Sequence, residues 1–164
     1  MRTLPSMKFR SQSGFTLTET LAVILIVTII AAVAMPILSS ALANQRLRAA
    51  GTDLVSALLL SRSEAIKRGV QVQVAPLSVG NWKSGWQVIA TGSGEQVEKN
   101  EALGPWVEVG LAPAAISYER NGRLTVVGST RVEFRDSAHS AGVATRCVTV
   151  DPSGLPQLAA RSCT

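Results

Sequence analysis

The chain has 164 residues, 46% of them hydrophobic, and a formal net charge of +5 at pH 7. Three of the 16 basic residues stand before position 14, and the 13 that remain nearly balance the 11 acidic residues. The length allows one modest domain beyond a membrane helix. The small net charge of the chain after position 14 does not by itself indicate a nucleic-acid partner.

A short, basic leader precedes an apolar run from Leu21 to Met35, in which Thr28 is the only polar residue. At a rise of 1.5 Å per residue, a helix over 15–38 can cross a hydrocarbon core of about 30 Å. Glu19 lies one turn inside this segment, where an unpaired carboxylate costs several kcal/mol. Since no basic residue stands within a helical turn of Glu19, we expect its partner to come from another molecule.

The pair Gly14-Phe15, the basic leader before it, and Glu19 within an apolar run resemble the N-terminus of type IV pilins and of type II secretion pseudopilins. Within these proteins the chain is most similar to the FimT/GspH-like minor subunits. The resemblance implies that a prepilin peptidase removes residues 1–14 as a leader peptide and methylates Phe15. It also implies that Glu19 neutralises the terminal amine of a neighbouring subunit in a filament, and that Pro36 kinks the helix.

Two ordinary explanations of the N-terminus compete with this resemblance. A secretory signal peptide also has a basic start and an apolar core, and Ala32-Val33-Ala34 would serve as its small-residue cleavage site. A plain single-span anchor is the other explanation. Neither explanation requires Glu19 or the Gly14-Phe15 pair, so both are less favoured.

After Pro36 an apolar stripe continues at helical spacing until Lys67 and Arg68, whose charges suit a helix C-terminus, and Gly69 is a natural end. The stripe is formed by Leu38, Leu42, Leu47, Ala50, Leu54, Leu58 and Ala65. This spacing predicts one helix from about Leu17 to Arg68. We expect residues 15–38 to be its transmembrane or filament-core part, and residues 39–69 to be an amphipathic part that packs on a head domain.

From Val70 the hydrophobic period changes from helical to two, which indicates strands. Asn121-Gly122 is a two-residue hairpin signal, and Asp151-Pro152-Ser153-Gly154 has type I turn chemistry. The predicted strands are 70–74, 85–90, 106–109, 116–119, 123–127, 131–135, 146–150 and 155–159. The sequence therefore predicts an α+β fold, with a long N-terminal helix, kinked near Pro36, and an antiparallel β-rich head over residues 70–164.

Cys147 and Cys163 both lie beyond the apolar segment. A periplasmic or secreted domain favours a disulfide between them, and a loop of this size gives about 3 kcal/mol in the chain-entropy model. If Val150 faces Leu155, Gln157 or Leu158 stands opposite Cys147, so the tail must fold back. Metal binding by two thiols and the distant His139 is a poor alternative.

Motifs of catalysis are missing from the sequence, which has no phosphate-binding loop, no HExxH and no nucleophile elbow. We therefore expect no enzymatic activity and no metal or cofactor. The stretch from Trp82 to Trp86 includes Lys83, and such residues can stack on bases. Because Trp86 begins an alternating strand, we expect the two tryptophans to pack in the core or in a loop instead.

Arginines in the C-terminal part raise the question of DNA binding. Some FimT-like subunits bind DNA through a Gly-Arg-x-Arg sequence on the final hairpin, whereas the matching turn here reads Gly154-Leu155-Pro156-Gln157 and lacks both arginines. This departure argues against DNA binding. The remaining candidates for DNA contacts are Arg120, Arg123, Arg146 and Arg161.

The resemblance implies a structural minor pilin in the bacterial inner membrane, with a single span and a periplasmic head, that is assembled into a type IV pilus. Its expected partners are other pilin or pseudopilin subunits, the prepilin peptidase and the inner membrane. A DNA-binding minor pilin for natural transformation and a minor pseudopilin of type II secretion are the alternatives.

Overall fold

One long helix, α1 (Leu17–Arg68), opens the part of the chain that the computed structural model describes, residues 14–163. The predicted leader therefore lies outside the described residues, apart from Gly14. The chain divides into two units, Met1–Leu38 and Ser39–Thr164, which we call the N-terminal unit and the head. Since α1 begins and ends at the two residues expected from the hydrophobic spacing, the predicted extent of the helix is confirmed.

The part of α1 in the N-terminal unit is apolar and exposed. Of the helices in residues 14–163, α1 is long and apolar enough to cross a membrane, and no residue of its most apolar window is buried. Thr28 does not interrupt the apolar surface, because its hydroxyl donates a hydrogen bond of 2.8 Å to the carbonyl of Leu25. Pro36 lies inside α1, and the predicted kink stays a prediction.

The part of α1 in the head buries one face. Its buried residues recur at intervals of one to four positions and are Ala43, Leu47, Ala50, Gly51, Leu54, Ala57, Leu58, Ser61, Glu64 and Ala65. They include the predicted stripe from Leu47 to Ala65, whereas Leu42 is partly exposed. Gly69 ends the helix in the left-handed region, with φ of 66°, and its N–H donates to the carbonyl of Ala65. An αL glycine of this kind is a common helix end.

Eight strands follow in the head and form two antiparallel sheets. In chain order they are β1 (Val72–Ser78), β2 (Asn81–Ala90), β3 (Glu95–Asn100), β4 (Val107–Val109), β5 (Ile116–Tyr118), β6 (Thr130–Asp136), β7 (Arg146–Val150) and β8 (Pro156–Ala159). The first sheet has the order β3-β2-β1-β5 and the second has the order β4-β6-β7-β8. The predicted combination of one long helix with an antiparallel β-rich part is therefore confirmed.

The core of the head combines α1 with both sheets. Trp86 of β2 lies 6.5 Å, between ring centroids, from both Trp82 and Phe134, the latter on β6. The indole N–H of Trp82 donates to the carbonyl of Pro113 at 2.6 Å, so its polar atom is satisfied. Both tryptophans are thus core residues, which agrees with the prediction of packing rather than base stacking.

One strand was missed in the sequence analysis, and one predicted strand does not form. The sequence analysis missed β3, an edge strand with five polar residues among its six, none of which is fully buried. Residues 123–127 were predicted as a strand but make one isolated bridge, Leu124 with Tyr118. The Asn121-Gly122 turn itself is present, since the N–H of Gly122 donates to the carbonyl of Glu119. Turn chemistry is local, whereas strand pairing needs a partner along its whole length.

β2 also starts four residues earlier than predicted. Gly85, taken as the first strand residue, lies within β2 with φ of 90°. A Cβ at this position would approach the carbonyl oxygen of Asn100 to 2.4 Å. Glycine therefore permits the close approach of two backbones inside the sheet, and it did not mark the start of the strand.

Candidate assembly site

Thr16 caps α1, which begins just after the predicted processing residues Gly14 and Phe15. Its hydroxyl oxygen accepts the N–H of Glu19 at 3.3 Å, and its carbonyl accepts the N–H of Thr20 at 3.1 Å. The sequence analysis did not identify Thr16, although the spacing Thr-x-x-Glu is that of a capping box. The cap places the start of α1 after Phe15, so Gly14 and Phe15 lie outside regular structure and are exposed. Exposed, irregular segments are the segments that proteases cut most readily.

Glu19 lies in the first turn of α1 and is exposed. An acidic side chain there interacts favourably with the positive end of the helix dipole. Among residues 14–163 no cationic group lies within 4.0 Å of its carboxylate. Glu19 lies four positions after Phe15, and both are exposed at the start of the apolar part of α1.

Apolar side chains cover all sides of the part of α1 that lies in the N-terminal unit. Leu25, Ile26 and Val27 follow one another around the helix, and all three are exposed. A helix that is hydrophobic all round requires burial by lipid or by other protein. The N-terminal unit therefore has the composition of a membrane span or of the centre of a helical assembly.

A disulfide joins Cys147 of β7 to Cys163, with 5.2 Å between the Cα atoms, so the predicted pairing is confirmed. The predicted register was wrong, since Val150 pairs with Pro156 and Cys147 stands opposite Ala159. Three residues lie between Ala159 and Cys163, and the tail folds back over them, as the sequence analysis expected. Leu155 belongs to the turn before β8, so the partner of Val150 is Pro156 and not Leu155 as the sequence analysis assumed.

The side chain of Glu133 holds the folded tail in place. Its side chain is buried, and one carboxylate oxygen accepts the N–H of Cys163 at 2.7 Å. The other carboxylate oxygen accepts a hydrogen bond from the guanidinium of Arg135. A buried carboxylate is tolerated when its oxygens are paired in this way. The disulfide and Glu133 together fix the C-terminal tail on the second sheet.

The four candidate arginines lie in three segments of the head. Arg120 and Arg123 are exposed on either side of the Asn121-Gly122 turn. Arg146 begins β7 and is half-buried, and its Nε has no hydrogen-bond partner within the described part of the chain. Arg161 is exposed in the tail after β8. Arg120 and Arg123 thus share one turn, whereas Arg146 and Arg161 belong to the β7–β8 part of the chain.

The final hairpin turn packs against the Asn121-Gly122 turn. A Cβ on Gly154 would lie 2.1 Å from the carbonyl oxygen of Gly122, so glycine is required at 154, where φ is 86°. Arg62 of α1 donates from Nε to the same carbonyl at 3.1 Å. Hydrogen bonds from the Ser153 side chain lower the pKa of Asp151, which stabilises its charged form in the turn. This turn is a rigid structural contact rather than an open loop.

His139 lies exposed in the loop after β6, with φ of 50°. Hydrogen bonds from Ser140 lower the pKa of the nearby Asp136 carboxyl, whose oxygen accepts the Ser140 N–H at 2.9 Å. Residues 14–163 contain no group of three His, Cys, Asp or Glu side chains that could hold a metal ion. The N–H of His139 donates to the carbonyl of Asp136 at 3.1 Å, so both residues take part in the hydrogen bonds of this loop.

Two family models match the chain. The model described as type II transport protein GspH matches residues 50–154, and the model of the prokaryotic N-terminal methylation motif matches residues 9–35. The first match covers most of the head, and the second covers the predicted cleavage point and the apolar run. A comparison with curated proteins finds no match.

Three solved structures share the fold. Two crystal forms of the type IV minor pilin FimU from Pseudomonas aeruginosa have TM-scores of 0.60 and 0.57 and are 17% and 20% identical. The first alignment includes 70% of this chain and 89% of the FimU chain, and the second includes 69% and 92%. The minor pseudopilin EpsH from the type 2 secretion system of Vibrio cholerae has a TM-score of 0.54 at 15% identity, covering 70% of this chain and 97% of EpsH. At these identities the likeness shows a common fold.

Proposed function

Since the chain belongs to the GspH family of minor pilins and pseudopilins and carries the N-terminal methylation motif, we propose that it is a minor pilin built into a type IV pilus. It is anchored in the bacterial inner membrane as a single-pass protein with a periplasmic head. Family membership implies assembly with other pilin subunits and processing by a prepilin peptidase. The family is one of structural subunits.

The observation that carries the proposal is an acidic residue, Glu19, at the capped start of the apolar part of α1. In this proposal the peptidase cuts after Gly14, which leaves Phe15 with a free, methylated amine. The non-helical backbone at Gly14-Phe15 and the Thr16 cap support cleavage at this bond, since the helix begins only beyond it. Residues 1–14 are then the leader, and residues 15–38 the part held in the membrane and later in the filament core.

Glu19 has the role of the assembly contact in this proposal. A lone carboxylate in hydrocarbon is costly, but beside the N-terminal amine of a neighbouring subunit it becomes an ion pair in a low-dielectric setting. Residues 39–69 carry the head on their buried face, and residues 70–164 form its β-rich part. Assembly would thus depend on the N-terminal unit, while the head supplies the surface of the filament.

Replacement of Glu19 tests the assembly step. We expect Glu19→Ala to enter sheared filaments much less than the wild type, while Gly14 cleavage, followed by intact mass, continues and the head melts unchanged. Glu108→Ala is the matched control, because it removes an exposed carboxylate from the head. Wild-type levels of Glu19→Ala in filaments would contradict intermolecular neutralisation. A mature chain that starts at Met35 would instead establish an ordinary signal peptide.

A minor pseudopilin of type II secretion is the second candidate, favoured by the description of the matching family as a type II transport protein. Deletion of the gene distinguishes the two systems. Loss of surface pili with normal release of secreted enzymes supports the pilus, whereas retention of those enzymes in the periplasm supports secretion. Both candidates share the same cleavage and assembly chemistry.

DNA binding is not part of the proposal. The two positions at which the resemblance requires arginines hold Leu155 and Gln157. Arg120 and Arg123 lie beside the final hairpin turn, but two cations give few phosphate contacts. A gel shift at varied salt measures any such binding, and tight binding that persists at high salt would contradict this view.

A further inference from the structure

A groove in the head lies between α1 and the segment that joins β3 to β4. Trp106 lines this groove and is 56% exposed, whereas Trp82 and Trp86 are buried in the core. The guanidinium carbon of Arg46 lies 5.0 Å from the centroid of the Trp106 ring, and this cation–π contact holds the ring in place. Tryptophan is enriched where proteins contact one another, so the groove offers a fixed aromatic surface to another protein.

The charged side chains of the groove favour a cation. Asp53 of α1 and Glu101 line it together with Arg46, and two carboxylates against one guanidinium leave a net negative charge. Both acidic residues are exposed, and neither forms a salt bridge within residues 14–163. Complementary charge therefore calls for a basic side chain, and the exposed ring of Trp106 suits the apolar stem of an arginine.

Two cations of this kind lie on the Asn121-Gly122 turn. Arg120 and Arg123 are exposed on either side of it, and neither forms a salt bridge within the described part of the chain. The neighbouring Glu119 accepts a hydrogen bond from the Asn121 side chain at 3.1 Å, and the turn as a whole keeps a net positive charge. Arg62 of α1 fixes the turn by donating to the carbonyl of Gly122.

The groove and the turn lie at different levels of the head. Arg46 contacts the ring in the groove and Arg62 contacts the turn, and these arginines are 16 residues apart on α1. At 1.5 Å per residue their separation along the helix axis is about 24 Å. Because charges are screened over about 8 Å at physiological salt, the groove and the turn do not neutralise each other within one head.

We propose that the groove of one subunit receives the turn with Arg120 and Arg123 from a second copy of this chain, at another level of the filament. The proposal rests on the pilin assembly proposed above, in which the helices of the subunits share one core and run in the same direction. Asp53 and Glu101 then pair with the two arginines. Since the two surfaces are unlike, each copy keeps one of them free for a further copy, and such contacts build open helical assemblies.

Photo-crosslinking of the full chain, in the inner membrane and in sheared filaments, tests the proposal. A benzophenone side chain in place of Ala102, an exposed residue of the groove, leaves Trp106 and both carboxylates intact. Two copies with different tags are produced together, so that a crosslink between copies is distinguished from a crosslink to another subunit. We expect a crosslinked pair of copies, with the crosslink mapped by mass spectrometry to residues 119–123.

Charge reversal makes the test specific for the four charged residues. Asp53→Arg with Glu101→Arg, in the copy that carries the crosslinker, should lower the yield of crosslinked pairs about tenfold, because two attractive pairs become repulsive. Arg120→Glu with Arg123→Glu in the other copy should restore the yield. A loss of folding in the first variant could not be restored by a change in a second molecule.

Glu98→Arg with Glu108→Arg is the matched control. It changes the net charge by the same amount at two positions that do not line the groove, so we expect the crosslinking yield to stay at the wild-type level. Near-ultraviolet circular dichroism of the buried tryptophans checks that each variant keeps its fold.

Two results overturn the proposal. In the first, the groove crosslinks only to other proteins, which makes it a site for a different subunit. In the second, reversal of the groove charges leaves the yield unchanged, or the matching reversal of the turn does not restore it. Neither result affects the proposed pilus function, because Gly14 cleavage and filament entry are measured separately in the same cells.

Discussion

The two parts of α1 contain similar apolar residues, but those in the head are buried within the chain and those in the N-terminal unit are exposed. In the head, Leu54 and Leu58 are fully buried against the sheets. In the N-terminal unit, Leu25 is 62% exposed, and its neighbours on every side of the helix are exposed too. The difference lies in the partner, since the head supplies its own core, whereas the N-terminal unit has none among the described residues.

This difference assigns separate tasks to the two units. Burial within the chain stabilises the head before any other molecule is present. The apolar surface of the N-terminal unit is stabilised by whatever surrounds it, which is lipid in the membrane and other helices in a filament. Changes in the head should therefore alter folding, and changes in the N-terminal unit should alter assembly.

One substitution made in both units gives the largest expected effect. Leu54→Ala should lower the free energy of unfolding of the head by about 4 kcal/mol, because it removes a fully buried side chain and leaves a cavity. Leu25→Ala makes the same chemical change in the N-terminal unit, and we expect no change in head stability. Denaturant unfolding of the full chain in detergent, followed by tryptophan fluorescence, measures both. Equal losses of unfolding free energy in the two variants would contradict the view that only the head is stabilised by burial within the chain.

Removal of the disulfide should have the next largest effect. The double variant Cys147→Ser with Cys163→Ser frees the tail, and the chain-entropy model gives a loss of about 3 kcal/mol for a loop of this size. The loss belongs to the head, so membrane insertion should remain at the wild-type level. Denaturant unfolding of the variant beside the wild type measures the change, and coincident unfolding curves would show that Glu133 alone fixes the tail.

The smallest expected change in head stability comes from substituting polar residues of α1, one in each unit. Asn44 accepts the N–H of Ala144 at 3.0 Å and donates to the carbonyl of Gly142 at 3.1 Å, so it holds a distant loop of the head. Asn44→Ala should cost about 1 kcal/mol, the usual net value of such hydrogen bonds. Thr28 bonds within its own turn, and Thr28→Val should leave the head unchanged. Thermal melts of both variants test the pair, and a larger shift for Thr28→Val would contradict it.

Local patterns in the sequence determined the helix and most of the strands. The apolar spacing gave both ends of α1, because helical hydrogen bonds join residues four positions apart. The Asn121-Gly122 turn and the Asp151–Gly154 turn were readable for the same reason. Glu19 was noticed because an acidic residue is unusual within an apolar run, and the Gly14-Phe15 pair because it precedes that run. The Thr16 cap, which bonds the backbone N–H of Glu19, was not noticed.

Only the tertiary structure decided which segments pair and which surfaces remain open. β3 was invisible in the sequence, since an edge strand needs no apolar alternation when its side chains face water. The segment 123–127 has the composition of a strand, but it makes one isolated bridge, at Leu124, and its last backbone hydrogen bond to β5 is that of Thr125 to Ser117. Three tryptophans look alike in the sequence, yet two are buried and Trp106 is exposed beside Arg46, because burial depends on contacts between residues far apart in the chain.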